Sequence, residues 1–297
     1  VDLDETDGIT LTDLDTNNGT ITVDAGGALT VTDVASGTNG NIVLSTSSGD
    51  ITGLATVNAG SGNVTLNSAG AIVDDGSAGT VITGGVLTAD AAGAITIDST
   101  VTSANISTSA AGNVDLDETD GITLTDLDTN DGSITVDAGG LITATDVVAA
   151  GGSGDSVTLT TTTGGAVATL VTGADAVSIT ANAGDITIGA VTATAGTLGV
   201  TATAGSINDA ADDNTADFTA GGLITLTAQD EIGVLGSGTD TDLEFATGSS
   251  VNVSTTGTGA IDLDGLGTLT LTDVDTANGA ITASSAGALT VTDVASG

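Results

Sequence analysis

The chain has 297 residues, 39 of them Asp or Glu, and no Lys, Arg, His, Pro, Cys, Met, Trp or Tyr, giving a formal charge of −39. Without cationic side chains it cannot neutralise nucleic-acid phosphates, and an anionic membrane surface repels it. Without His or Cys it has no imidazole base, thiolate, disulfide or structural zinc site. Hydrophobic residues make up 39%, nearly all Ala, Val, Ile and Leu, and the mean hydropathy is +0.36, so this is not a disordered acidic tail. No apolar run approaches the ~20 residues that span a bilayer, so no membrane insertion is expected. The first residue is Val, no export signal is recognisable, and a slice of a longer chain is the expectation.

Read from the start, the chain repeats itself. Residues 1–27, VDLDETDGITLTDLDTNNGTITVDAGG, return at 114–140 with two changes, Asn18 to Asp131 and Thr20 to Ser133. A looser copy begins at Ile261, and its tail at 288–297 is identical to residues 28–37. Within these long repeats runs a short theme, Gly-x-apolar-Thr-apolar. It appears as GTITV at 19–23, GALTV at 27–31, GNIVL at 40–44, GNVTL at 62–66 and GAITI at 93–97. It continues as GNVDL at 112–116, GSITV at 132–136, GDITI at 184–188, GLITL at 222–226, GAIDL at 259–263 and GTLTL at 267–271. The spacing fits two strands in a unit of about 20 residues. The long offsets of 113 and 147 residues then correspond to six and seven units.

Apolar-Thr-apolar has period two, so it predicts strands with apolar side chains inward and Thr outward. A strand this short cannot bury its apolar face alone, and stacking units one upon the next makes a continuous core. The predicted fold is an all-β parallel β-helix, or β-solenoid, covering 1–297 as one continuous segment. The rule for parallel crossovers makes it right-handed. At ~4.8 Å per stacked strand, about fifteen units would form a rod on the order of 70 Å. Gly and Asn at the corners allow turns where a side chain would strike the neighbouring unit, and absent Pro leaves every amide free for the ladder. Phe218 and Phe245 read as core fillers.

The Gly-Asn-Val-Thr-Leu and Gly-Ala-Ile-Thr units resemble the β-helical repeats of filamentous-haemagglutinin-like adhesins exported by two-partner secretion. That resemblance spans the whole chain through degenerate motifs. It implies a right-handed parallel β-helix at the cell surface or outside the cell, serving as a shaft that holds adhesive regions away from the cell. The absence of Lys and Arg departs from most such proteins.

The acids carry the remaining chemistry. With 20 residues per unit, Asp13 falls over Asp33, Asp126 over Asp146 and Asp273 over Asp293. Like charges ~4.8 Å apart repel by ~1 kcal/mol in water and ~3.5 kcal/mol at an effective dielectric of 20. Screening salt or bridging Ca²⁺ is therefore expected to stabilise the fold. The densest runs are Asp2, Asp4 and Asp7 and their twins Asp115, Asp117 and Asp120, candidate calcium ligands that do not match the EF-hand spacing. The alternative is that these acids are solvated outer-face and turn carboxylates. Gly151–Asp155 resembles a single nonapeptide calcium repeat with its Asp displaced. Thr10-Leu11-Thr12 and Thr20-Ile21-Thr22 resemble the Thr-x-Thr rows of ice-binding β-helices. The adjacent acids Asp74-Asp75 and Asp212-Asp213 point to opposite strand faces, so no glycosidase pair is expected and the chain is read as a non-enzyme.

The expected function is therefore a stiff acidic spacer in a bacterial or archaeal surface filament or giant adhesin. Its expected partners are neighbouring segments of the same chain, or identical chains end to end, with cations or surface glycans. The alternatives are a calcium-, glycan- or ice-binding repeat face, or a sheath or matrix subunit that stacks end to end.

Overall fold

A computed structural model describes residues 1–77, 79, 81–211, 213–233 and 242–297. The chain is an all-β parallel β-solenoid of about 14 turns, roughly 20 residues apart. The described residues contain no helix. They fall into two compact units, Val1–Ala138 with Val148–Gly151, and Gly139–Val147 with Gly152–Gly297.

In the first unit the predicted alternation is seen directly. Strand Ile21–Ala25 buries Ile21, Val23 and Ala25 and leaves Thr22 half-buried and Asp24 exposed. Each inward residue sits on its equivalent in the next turn. Ile21 pairs with Ile42, Ile42 with Val64 and Val64 with Leu87. Val23, Leu44, Leu66 and Ala89 form the neighbouring row, and every residue of both rows is fully buried. Each large aliphatic side chain buried this way stabilises the fold by ~1.5–3 kcal/mol. The gain exists only when another turn covers it, which makes the stack cooperative.

The turn is more finely divided than two strands. Turns near the start carry three: Ile21–Ala25, Leu29–Val31 and Asp33–Ala35, followed by Ile42–Thr46, Ile51–Leu54 and Thr56–Asn58. The extra short strand is the Thr-Asp-Val segment. After Thr32 the chain re-enters the ladder, with Val34 on Val57. Further on the pieces fuse, as in Ile122–Asp131, with an irregularity in register after Ala104 of the preceding turn.

The corners explain the Gly-x theme. Its x residue offers a side-chain acceptor to the backbone N–H of the x residue one turn later. Asn41 Oδ1 accepts from Asn63 N at 2.9 Å, Asp50 Oδ1 from Ala71 N at 2.8 Å and Asn113 Oδ1 from Ser133 N at 2.9 Å. Asp185 Oδ1 accepts from Ser206 N at 2.8 Å in the second unit. The Gly itself is required by close approach: a Cβ on Gly132 would lie 2.2 Å from the carbonyl oxygen of Gly112. Some Thr and Ser face inward, against the simple expectation. Thr46, Thr255 and Thr276 are buried at strand ends and donate to the carbonyls of Gly49, Gly259 and Gly279 at 2.9–3.0 Å. Each such hydroxyl satisfies a corner carbonyl, which offsets the cost of burying it.

The 113-residue repeat is not six turns. Starting from Asp2, equivalent positions run Thr22, Val43, Thr65, Thr88, Asn105 and Asp126. Asp115, the twin of Asp2, lies instead on the row of Thr10, Thr30, Thr52, Val73 and Thr96. The copies are thus about five and a half turns apart and occupy different faces. The two principal strands of a turn share one sequence pattern, so a repeat can advance by half a turn without exposing its apolar side.

In the second unit Val157, Val177, Leu198, Ile224, Val251 and Leu271 form an equivalent row. Here the turn length changes. Val191 to Phe218 and Phe218 to Phe245 each span 27 residues, whereas Leu243 to Leu263 spans 20. Both phenylalanines are fully buried, as predicted, with ring centroids 5.4 Å apart and planes at 27°.

Candidate functional site

Several acids stack as the sequence reading anticipates. Leu11 pairs with Val31 and Leu14 with Val34, which puts Asp13 and Asp33 at equivalent positions. Burial raises the carboxyl of the nearby Asp15, and Asp13 and Asp33 raise it further. Asp273 and Asp293 are bracketed in the same way by Leu271 on Val291 and Val274 on Val294. Asp273 is pushed up chiefly by Asp275, with added contributions from burial and Asp293. Asp126 pairs with Asn105, whose Nδ2 donates to Asp126 Oδ2 at 3.4 Å. Asp146 belongs to the second unit, and its Oδ1 is buried without a hydrogen-bond partner. Further acid pairings escaped the sequence reading: Asp4 on Asp24, Asp98 on Asp117 on Asp137, and Glu244 on Asp264.

The candidate calcium ligands are spread over exposed surface. Asp2 and Asp4 lie on Asp2–Glu5, with Asp7 in the following bend, and all three are exposed. Asp115 and Asp117 share the outer face of Val114–Glu118, and Asp120 lies just beyond. Partial burial, followed by neighbouring carboxylates including Asp98 and Asp137, raises Asp115 and Asp117. The residue fixed most firmly in that run is Glu118, buried and accepting at Oε2 from Ser99 Oγ at 2.7 Å and Val101 N at 3.1 Å. Asp74 and Asp75 each cap the backbone two residues on, at Gly76 and Ser77, while Asp212 lies outside the described residues. Asp155 accepts from Gly152 N at 2.8 Å, closing its own loop.

Among the described residues, the group of three carboxylates that converges is Asp209, Asp217 and Glu244, with one oxygen from each within 4.8 Å of the others. Asp209 ends strand Ile207–Asp209, Asp217 directly precedes Phe218, and Glu244 is the middle of Leu243–Phe245. The register of Phe218 on Phe245 brings the two preceding acids together across adjacent turns. Glu244 N donates to Asp217 Oδ2 at 2.8 Å. Strand alternation directs both acids away from the phenylalanine side, yet Asp217 is 4% exposed and Glu244 1%.

This is an expensive arrangement. Neither carboxylate oxygen of Glu244 has a hydrogen-bond partner. Burial drives its carboxyl far upward, and the adjacent Asp217 raises it further. Burial raises Asp217 as well, although a proton donated by Glu244 would relieve it, and burial also raises Asp209. A buried unpaired charge costs several kcal/mol, so the trio must take up positive charge, either as protons or as a metal ion.

Comparison of the chain with known protein families, curated proteins and solved structures yields no match.

Proposed function

We propose that this chain is structural: a β-solenoid shaft segment, extracellular, acting as a stiff acidic spacer in a bacterial or archaeal surface filament or giant adhesin. The observation that carries this reading is the turn-on-turn register within each unit, where apolar rows four or more residues deep run inward and carboxylate rows face out. Such a ladder resists pulling because each turn is tied to both neighbours by backbone hydrogen bonds. The outward acids keep the surface soluble and discourage lateral pairing.

Pulling single molecules from both ends tests the mechanical role. The expected record is resistance followed by stepwise release of single turns, each ~70 Å of extended chain. Featureless unravelling at negligible force overturns the reading.

A second reading, a binding face, is favoured by one feature of the second unit. Thr160, Thr180, Thr201, Thr227 and Ser254 form a hydroxyl row five turns deep. Ice-growth inhibition and glycan-array binding by the intact chain test that face.

A further inference from the structure

We propose that Asp209, Asp217 and Glu244 bind one divalent cation of the calcium class between two successive turns of the second unit. Acids abound on this chain, and most are exposed or already hold backbone amides. Glu244 differs: it is 1% exposed, it lies within the convergent trio, and both its oxygens lack a partner. No Lys, Arg or His exists anywhere in the sequence to pair with it. The positive charge must therefore come from outside the chain.

A proton is the competing occupant. One proton on Glu244 would serve one oxygen, by donation to Asp217, and would leave the remaining convergent lone pairs unused. A divalent ion draws on all three side chains at once. The donor set is entirely carboxylate, which suits a hard cation and excludes soft metals. Coordination habit separates calcium from magnesium. Mg²⁺ sheds its waters reluctantly and is held by one or two carboxylates, whereas Ca²⁺ accepts several carboxylates in an irregular shell, as three side chains converging within 4.8 Å would provide. Three carboxylates leave room for water to complete a six- to eight-oxygen shell.

Calorimetric titration of the EDTA-stripped full chain with CaCl₂, in enough KCl to suppress diffuse binding, tests the site. The expected result is one saturable site per chain above a weak background, with CaCl₂ binding tighter than MgCl₂. Glu244→Gln and Asp217→Asn each keep shape while removing charge, and each weakens that site by about tenfold or more. Asp98→Asn, in the exposed ladder, leaves it unchanged. Circular dichroism establishes that each variant keeps its strands. The proposal is overturned if Glu244→Gln binds Ca²⁺ within twofold of the parent chain, or if Mg²⁺ binds tighter. It is equally overturned if the parent shows no saturable site, in which case protons occupy the trio.

Discussion

The backbone N–H of Glu244 donates to Oδ2 of Asp217 at 2.8 Å, so two buried acids from successive turns are joined by main chain in a protein with no cationic side chain. The residues that follow them, Phe218 and Phe245, stack beneath. The apolar pair holds the two strands in register, and that register forces the carboxylates together. In EDTA only protons can relieve the repulsion, at a cost that grows as pH rises. Glu244→Gln is therefore expected to stabilise the metal-free chain by ~1–4 kcal/mol, read as a higher melting temperature. A lower melting temperature in EDTA would show that the Glu244 charge is compensated within the fold.

The same floor can be removed. Phe245→Ala deletes a fully buried ring and its contact with Phe218. Denaturant titration should show a loss of ~3–5 kcal/mol. A loss under 1 kcal/mol would mean that neighbouring side chains close the gap.

At the corners, Asn63 both donates its N–H to Asn41 Oδ1 and accepts at Oδ1 from Val86 N at 3.2 Å. Asn63→Ala keeps the first bond and loses the second, for an expected cost of ~0.5–1.5 kcal/mol in chemical denaturation. Asn63→Asp restores an acceptor, so it should recover most of that loss at high salt. Equal stability of the Ala and parent chains would dismiss the ladder as an energetic device.

Gly132→Ala places a methyl 2.2 Å from the carbonyl oxygen of Gly112, a backbone atom that cannot swing away. The turn must open, at an expected cost of ~1–3 kcal/mol. Gly76→Ala is the contrast for contact, since nothing lies within 4 Å of a Cβ there, although its φ of +70° adds backbone strain. If the melting temperature of Gly132→Ala equals that of the parent, the tight corner packing is wrong.

Burial and neighbouring carboxylates raise Asp15, Asp74, Asp115, Asp117, Glu118, Asp262 and Asp273, while hydrogen bonds from Ser77 lower Asp75. A carboxyl whose value is raised by folding binds its proton more tightly in the native state. Its stabilisation is complete below the ordinary carboxylate range and is lost as pH rises through the raised value. Asp75 works in the opposite direction but stands against these seven and the trio Asp209, Asp217 and Glu244. In EDTA at low salt, the melting temperature should fall as pH climbs upward from about 4. A melting temperature that rises over the same interval would contradict these shifts.

Much of this fold is legible in the sequence because every turn repeats the same demands. The Gly-x-apolar-Thr theme names the corner, the ladder acceptor and the inward residue in four letters. Three features are hidden for physical reasons. The half-turn advance of the 113-residue repeat is invisible because Asp2–Glu5 and Val114–Glu118 satisfy two faces equally well. The inward Thr46 and Thr276 look like their outward neighbours until the corner carbonyl they serve is seen. The trio of Asp209, Asp217 and Glu244 is spread over 36 residues, and alternation alone would send its last two members to solvent. Its signal in the sequence is the pair of Asp/Glu-Phe dipeptides, 27 residues apart where most turns keep a period near 20.

This fold carries a formal charge of −39 with no cationic side chain to balance it, so its stability should depend on cations from solution. Thermal unfolding of the full chain at neutral pH measures this most directly, in EDTA at low ionic strength, with added KCl, and with added CaCl₂. The expected result is a melting temperature raised by KCl and raised further by CaCl₂ at equal ionic strength. A melting temperature unmoved by either salt would contradict it.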